Sequence, residues 1–222
     1  GSPLKCHGAF TQLSGHSQKY GNIAFPQNNK ENVLVLGNSF SRDFINAAVI
    51  NNYFQNYNLS YAEKKLPSCL NTESLNNTPL DTAKLLNSAD HIIFASGDFN
   101  TDCPKKDLMF LKNLNNASVT FIGTKSFGWS TTANLLEGKE KGIEARTPAL
   151  DRLIKQSNRV EKIVSSGIYV NTLNLISDRK GTVRIFDNDG KLLSFDTRHL
   201  TPEGAIYLGK LWFKHPLLKR FK

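Results

Sequence analysis

The stretch of sequence that decides the fold is Val33-Leu34-Val35-Leu36-Gly37-Asn38-Ser39-Phe40-Ser41-Arg42-Asp43-Phe44. Its four leading apolar residues predict a buried strand, which the Gly-Asn-Ser sequence ends abruptly. Apolar residues then recur at helical spacing, which predicts a helix. A strand, a sharp turn and a helix in this order place Ser39 at the carboxyl edge of a sheet and at the amino end of a helix, where open α/β sheets bind ligands.

Two interpretations of Ser39 fit this position. Its hydroxyl could be a nucleophile, or it could only cap the helix, as serine does at many helix starts. A second motif bears on the choice, and it reads Asp196-Thr197-Arg198-His199-Leu200-Thr201-Pro202-Glu203-Gly204. The Thr-Pro pair in it is typical of the first residues of a helix.

The carboxylate and the imidazole of the second motif are therefore expected on the loop that leads into the last helix. At this spacing Asp196 can hold the Nδ1–H of His199, while Nε2 faces outward to take a proton from a serine hydroxyl. A single Asp-x-x-His is a weak signal. Its combination with a Gly-Asn-Ser turn after the first core strand favours the nucleophile interpretation of Ser39.

The two motifs resemble the first and last blocks of the SGNH (GDSL-type) hydrolases, which read Gly-Asp-Ser and Asp-x-x-His. The sequence is most similar to the SGNH domain fused to integral-membrane O-acyltransferases of the acyltransferase-3 type, where the first block often reads Gly-Asn-Ser. The resemblance covers about residues 31–214. It implies a three-layer α/β/α fold with a central, mostly parallel sheet, and Ser39, Asp196 and His199 as the catalytic residues.

The middle blocks of the family, which supply the oxyanion hole, match this sequence less well. The backbone N–H of Ser39 is one expected donor. The nearest substitutes for the others are Gly97 and Asn100, after the third strand, and Asn71, after the second. Asn100 is one residue late for the family's Gly-x-Asn spacing counted from Gly97. These three residues are the candidates for oxyanion or substrate binding.

The resemblance implies a function, partners and a location. The domain would transfer acetyl groups to sugar hydroxyls of a bacterial surface polysaccharide such as the lipopolysaccharide O-antigen. It would work with the integral-membrane acyltransferase domain of the same polypeptide, on the periplasmic side of the inner membrane, and no cofactor is expected. Two alternatives stay open: a carbohydrate O-acetylesterase, and a non-catalytic glycan-binding module on the same fold.

The length of 222 residues, with 39% apolar residues, suits one compact α/β domain, expected over residues 31–222. Residues 1–30 are expected to form an extension packed on it through aromatic residues, and Gly1-Ser2 is typical of an expression scar. The sequence has no run of 18 apolar residues and no basic-then-apolar amino end. We therefore expect the chain to be soluble and to derive from a longer protein.

The net charge of +9 favours anionic partners. Nucleic acid is not expected as a partner, because the sequence has no basic stripe interleaved with aromatics, no helix-turn-helix and no zinc pattern. A membrane headgroup surface, an acidic polysaccharide and an ordinary basic surface all fit the charge. The densest basic cluster is expected on the final helix: Lys210, Lys214, Lys219, Arg220 and Lys222.

The three cysteines show no metal-ligand spacing, so no metal is expected. Cys69 and Cys103 fall in loops expected at the same sheet edge and could form a disulfide in an oxidising compartment, leaving Cys6 free. Three free thiols are the alternative.

The rest of the sequence alternates between strand and helix patterns up to residue 123. Expected strands lie at residues 33–36, 59–62, 91–96 and 119–123, with helices from about residues 41, 81 and 104. This alternation predicts βαβ units and a parallel sheet.

Beyond residue 123 the pattern is less regular. A helix is expected from about Pro148, and Phe127 and Trp129 are expected in a small core rather than in a cleft. Residues 182–186 and 192–195 are expected to pair as a hairpin that delivers Asp196 to the sheet edge. The turn between them, Asp187-Asn188-Asp189-Gly190, is similar to the start of a calcium loop, but the glutamate that such a loop needs further along the chain is absent, so a simple turn is expected.

Overall fold

A five-stranded parallel sheet forms the centre of the structure, a computed structural model that describes residues 19–63, 80–97, 103–114, 116–165 and 167–222. The strands lie in the order β2-β1-β3-β4-β6. Their bounds are Asn32–Gly37 (β1), Asn58–Glu63 (β2), His91–Ala95 (β3), Ser118–Ile122 (β4) and Tyr169–Val170 (β6). A separate antiparallel pair consists of Arg146–Pro148 (β5) and Thr182–Arg184 (β7).

Eight α-helices connect the strands within the described residues. They are Ser39–Ile50 (α1), Leu80–Ser88 (α2), Cys103–Leu114 (α3), Thr131–Lys141 (α4), Asp151–Val164 (α5), Thr172–Ile176 (α6), Pro202–Trp212 (α7) and Pro216–Lys219 (α8). A 3₁₀ turn, Gly142–Glu144, follows α4. None of these helices is long and apolar enough to cross a bilayer.

Both faces of the sheet are covered by helices, as parallel sheets require. Alternate residues of β1 point to opposite faces: Val33 and Val35 pack with α1, α6 and α7, whereas Leu34 and Leu36 pack with α2, α3 and α5. Two apolar cores therefore lie on the two sides of one sheet. This confirms the expected three-layer α/β/α architecture with a mostly parallel sheet.

The regular first half of the chain follows the sequence expectations closely, but the region after β4 does not. Helix α4 and the short strand β6 had no clear sequence signal, because α4 buries only Asn134 and β6 has two residues. The predicted hairpin forms only next to its turn, where Phe186 and Leu192 make an antiparallel bridge and the Leu193 amide donates to the carbonyl of Ile185 (2.9 Å). Further from the turn the prediction is wrong, because β7 pairs with β5 and residues 192–195 do not form a strand.

Two further expectations need correction. Phe127 is buried as predicted, but Trp129 is 78% exposed and does not belong to a core. The basic cluster at the carboxyl terminus does not lie on one helix, because α7 ends at Trp212 and α8 begins at Pro216.

The end of the predicted amino-terminal extension runs beside the outer strand of the sheet. Tyr61 of β2 accepts a hydrogen bond from the amide of Asn22 and donates one to the carbonyl of Tyr20, each 2.8 Å long. The ring of Tyr20 packs against the first core, and Phe25 packs against the second. The domain boundary near residue 30 stays a prediction.

Candidate active site

Ser39 is the first residue of α1, immediately after the carboxyl end of β1. The turn before it requires glycine, because Gly37 has φ +145° and a Cβ there would lie 1.9 Å from the carbonyl oxygen of Ala95. Asn38 caps the helix through its side chain, which accepts a hydrogen bond from the Phe40 amide (3.0 Å). Asn38, not Ser39, is therefore the helix cap.

The loop that carries Asp196 and His199 is held against the same edge of the sheet. Thr201 caps the following helix by accepting a hydrogen bond from the Gly204 amide (3.0 Å). On the other side of the loop, the Phe127 amide donates to the carbonyl of Thr197 (2.8 Å). Thr197 itself has φ +70°, an unusual conformation for a β-branched residue.

The structure brings the three sequence-predicted side chains into one hydrogen-bonded row. Nε2 of His199 lies 2.9 Å from Oγ of Ser39, and Nδ1 of the same ring lies 2.5 Å from Oδ2 of Asp196. The other carboxylate oxygen of Asp196 accepts the amides of Arg198 (3.0 Å) and His199 (2.6 Å). This arrangement can move a proton from the serine hydroxyl to the imidazole and orient the imidazolium that results.

The surroundings of Asp196 keep it ionised. Burial raises the pKa of this carboxyl, but hydrogen bonds from the imidazole of His199 and from two backbone amides outweigh burial and bring the pKa down to about 2. Asp196 is therefore a carboxylate at neutral pH. A fixed negative charge beside Nδ1 is what a serine–histidine pair needs to stabilise the imidazolium.

The predicted oxyanion donors are only partly within the described residues. Ser39 begins a helix, and the first amides of a helix have no acceptor within it. Gly97 lies at the site, because a Cβ there would fall 2.4 Å from the Phe40 ring and 2.8 Å from Arg198. Asn71 and Asn100 lie outside the described residues, so the roles proposed for them stay predictions.

A buried ion pair that no sequence motif indicated lies beneath this site. Nζ of Lys125 lies 2.8 Å from Oδ2 of Asp43, and both side chains are almost completely buried. Burial raises the pKa of Asp43 and lowers the pKa of Lys125, and the attraction between the two charges opposes both shifts. One signal was available: Asp43 is a charged residue on the helix face that also carries Phe40, Phe44 and Ala47.

Trp129 lies in a loop that contacts the segment around Asp196. Its loop is fixed at two points that flank Asp196 in sequence: the Phe127 amide bonds to Thr197, and the Thr131 hydroxyl donates to the carbonyl of Phe195 (2.5 Å). Trp129 is two residues from each of these anchors, a reach of at most about 7 Å between Cα atoms. The loop that carries Trp129 is therefore held against residues 195–197, and the indole of Trp129 is 78% exposed.

Cys103 is disulfide-bonded. The other two cysteines, Cys6 and Cys69, lie outside the described residues, so the predicted partner stays a prediction. Among the residues that the structure describes, no group of three or more histidine, cysteine or acidic side chains could hold a metal ion.

Comparisons with known proteins add little to this geometry. No protein-family model matches the sequence, and no curated protein matches it. A lipase from a goat rumen metagenome has a related structure, with 10% sequence identity, coverage of 83% of this chain and 97% of that chain, and a TM-score of 0.43. The phosphatase-containing amino-terminal part of a Bacteroides fragilis protein, solved with Mg, has 12% identity, coverage of 91% and 55%, and a TM-score of 0.36.

Proposed function

We propose that this domain catalyses serine-dependent acyl transfer, with Ser39 as the nucleophile, His199 as the general base and acid, and Asp196 as the residue that orients the imidazole. The observation that carries the proposal is the row of contacts through one imidazole, at 2.9 Å to the serine hydroxyl and 2.5 Å to the carboxylate. Each distance is within the reach that proton transfer requires.

In the first half of the reaction, Oγ of Ser39 attacks the carbonyl carbon of an acyl ester while Nε2 of His199 takes the hydroxyl proton. The negative charge that develops on the carbonyl oxygen needs hydrogen-bond donors, and the Ser39 amide at the start of α1 is one. The tetrahedral intermediate collapses when His199 returns the proton to the leaving alcohol. An acyl-serine ester remains.

In the second half, an acceptor hydroxyl binds beside the acyl-serine. His199 takes the proton of the acceptor hydroxyl, whose oxygen attacks the acyl carbonyl and later replaces Ser39. The proton then returns to Oγ. If the acceptor is a sugar the reaction is a transfer, and if it is water the reaction is a hydrolysis.

We further propose that the acceptor is a sugar hydroxyl of a bacterial surface polysaccharide, such as the lipopolysaccharide O-antigen, and that the acyl group is acetyl. The motif resemblance to the SGNH domains of membrane O-acyltransferases supports this assignment. The exposure of Trp129, in a loop that contacts the Asp196 segment, also supports it, because an exposed indole offers a flat apolar surface on which one face of a sugar ring can lie.

The same resemblance leads us to propose a membrane partner and a periplasmic location. The sequence contains no Gly-rich phosphate-binding turn of the Walker or dinucleotide type, so a nucleotide-linked acyl donor has no recognisable binding motif. In this proposal the integral-membrane acyltransferase domain of the same polypeptide presents the acyl group to Ser39.

A carbohydrate O-acetylesterase is the second candidate, and one observation favours it. The Asp196 side chain is 41% exposed and the His199 side chain 25% exposed, so solvent reaches the row of catalytic groups. Without a bound acceptor, water at about 55 M is the default acceptor.

The test measures the turnover of p-nitrophenyl acetate and the transfer of acetyl groups by the same protein. We expect slow hydrolysis of the ester, an acetyl adduct on Ser39 detectable by mass spectrometry after rapid quenching, and no acetylation of deacetylated polysaccharide from acetyl-coenzyme A. Polysaccharide acetylation by the domain alone, followed by NMR, would contradict the membrane partner. Unchanged turnover in Ser39→Ala would exclude the serine mechanism.

A second experiment addresses the sugar acceptor. Trp129→Ala should raise KM for an acetylated sugar by about tenfold and leave KM for p-nitrophenyl acetate within about twofold. Trp129→Phe, which keeps an aromatic face, is the matched control and should lose less. Equal effects of Trp129→Ala on both esters would argue against a sugar-binding role.

A further inference from the structure

The buried pair of Lys125 and Asp43 connects the segments that carry the candidate catalytic residues. Asp43 lies four residues after Ser39, one turn further along α1 and on the same side of that helix. Lys125 lies in the loop after β4, and its Nζ is 2.8 Å from Oδ2 of Asp43. A single contact thus ties the serine helix to the neighbouring loop of the sheet edge.

The third catalytic segment meets the same carboxylate oxygen. The amide of Leu200, the residue after His199, donates to Oδ2 of Asp43 (3.3 Å). The second oxygen, Oδ1, has no hydrogen-bond partner among the described residues. Nζ of Lys125 and the amide of Leu200 therefore both contact Oδ2 of Asp43. Through the Leu200 contact, this oxygen holds the His199 loop close to α1.

Lys125 also acts through the ring of Phe40, the residue after Ser39. Its Nζ lies 3.5 Å from the centre of that ring, a short cation–π contact. Phe40 also contacts the candidate general base, because the rings of Phe40 and His199 meet edge to face with centres 5.9 Å apart. Phe40 follows Ser39 and Leu200 follows His199. The residue after each of these two catalytic residues thus contacts the pair of Lys125 and Asp43.

A buried ion pair is a costly way to hold segments together, since apolar residues of similar size usually stabilise a core as well or better. At this site, however, each charge of the pair attracts the opposite charge of a catalytic residue. Asp43 attracts a positive charge on His199, and Lys125 attracts the carboxylate of Asp196. Positive and negative groups therefore alternate from Lys125 through Asp43 and His199 to Asp196.

We propose that Lys125 and Asp43 are positioning residues, which set the distance between Ser39 and His199 and stabilise the imidazolium formed during the reaction. This inference rests on the proposed function. Among the described residues, Asp196 on its own loop and Asp43 on α1 attract a positive His199, whereas Lys125 after β4 interacts with these two carboxylates and is repelled by Arg198. The pair contacts no reacting atom itself.

The decisive variant is the double substitution Asp43→Leu with Lys125→Met, which replaces both charges by apolar groups of similar size. We expect it to fold, because such exchanges are tolerated in cores, and to lose about 10- to 100-fold in kcat with KM nearly unchanged, since a small misplacement of catalytic groups has effects of this size. A folded double variant with wild-type kcat would overturn the proposal. A double variant that does not fold would also overturn it, because the pair would then be needed for the fold itself.

The single variants separate the ion pair from the shape of the core. Asp43→Asn and Lys125→Met each leave one buried ionisable group without its opposite charge, and burial then favours the neutral form of that group. Each single variant should therefore be less stable than the double variant and lose at least as much kcat. Single variants that fold and keep the wild-type kcat would contradict the positioning role.

Thr172→Val is the matched control, because Thr172 is buried and accepts a hydrogen bond from the indole of Trp212 (2.9 Å), with no contact to the catalytic row. It should lower the melting temperature without changing kcat or KM. The rate at which a fluorophosphonate labels Ser39 provides a readout that is independent of ester turnover. Labelling that slows in the double variant supports the positioning role even if the wild-type protein hydrolyses no ester, so the inference and the proposed function can fail separately.

Discussion

Two serine–histidine–carboxylate rows lie at opposite edges of the same sheet. At the carboxyl edge, His199 joins Ser39 to Asp196. At the amino edge, Nδ1 of His91 lies 2.6 Å from Oγ of Ser118, and its Nε2 lies 3.2 Å from Glu31. The residue types and the distances are similar. The surroundings of the two serines differ, and this difference separates a candidate nucleophile from a structural contact.

The backbone amide decides what each serine can do. Ser118 donates its amide to the carbonyl of Asp90 (2.9 Å), so that amide has no capacity left for an oxyanion. Ser39 begins a helix, where the amide has no acceptor within the helix and the dipole favours negative charge.

The hydroxyl and the imidazole differ as well. Oγ of Ser118 accepts a hydrogen bond from the guanidinium of Arg220 (2.9 Å). The ring of His91 is buried against Phe221 and Tyr57, with ring centres 5.3 and 6.1 Å away. Contact among the three residue types is therefore not enough to make a catalytic site. The serine must also lie where backbone donors and substrate can reach it.

The largest expected effect is on turnover by the two serine variants. Ser39→Ala should lower kcat for p-nitrophenyl acetate by about 10⁴-fold or more, because the three catalytic groups act as a unit. Ser118→Ala, the matched control at the other edge, should stay within about twofold of wild type. Comparable losses in both variants would show that the amino-edge row contributes to the reaction.

The histidine variants should rank in the opposite order when stability is measured, with the larger loss of stability at the amino edge. His91→Ala removes a buried ring and two hydrogen bonds, and should lower the free energy of unfolding in urea by about 1–3 kcal/mol with turnover unchanged. His199→Ala should abolish turnover and change stability less, because its side chain is 25% exposed. A His91→Ala protein as stable as wild type would mean that the amino-edge row does not stabilise the fold.

Backbone strain distinguishes the two edges on a smaller scale. Thr197 has φ +70°, whereas the positive-φ residues of the described chain include none of Glu31, His91 and Ser118. Thr197→Asn should raise the free energy of unfolding by about 1 kcal/mol, because asparagine tolerates this conformation. Thr197→Ala is the control and should bring no such gain. Thermal unfolding measures the stability of both variants. A Thr197→Asn protein less stable than wild type would show that the backbone of Thr197 is not strained.

The smallest expected effect is the loss of folding stability at low pH that follows from protonation of Asp196. Its pKa of about 2 in the folded protein lies below the value of about 3.9 expected when unfolded. The stabilisation is therefore complete above about pH 4 and is lost as the pH falls towards 2. It should stay below about 1 kcal/mol, because a side chain that is 41% exposed is screened by solvent.

Urea unfolding of wild-type protein and of Asp196→Asn across this range measures that contribution. The difference between the two proteins should shrink between about pH 4 and pH 2. A difference that stays constant across this range would mean that the hydrogen bonds of the Asp196 carboxylate do not favour its ionised form.

Local sequence signals determined the regular half of this protein. Apolar periodicity located β1, α1, β2, β3, α3 and β4 within a few residues, because the side chains of a strand or helix that pack on the core recur with the period of that element. The Thr-Pro pair located the start of α7 for a similar reason, since a cap bonds to amides within its own first turn. The sequence also singled out Ser39, Asp196 and His199, because their motifs are short and contiguous.

Only the tertiary structure decided what surrounds those residues. The pairing of Lys125 with Asp43, the exposure of Trp129, and the contacts among Glu31, His91 and Ser118 join segments that are far apart in the sequence. Helix α4 was missed for the same reason, since it packs on the rest of the protein through Asn134 and Gly138 and leaves Leu135 and Leu136 exposed. Whether a charge is buried or an aromatic ring is exposed depends on which segments meet in the fold, and no spacing within one segment encodes that.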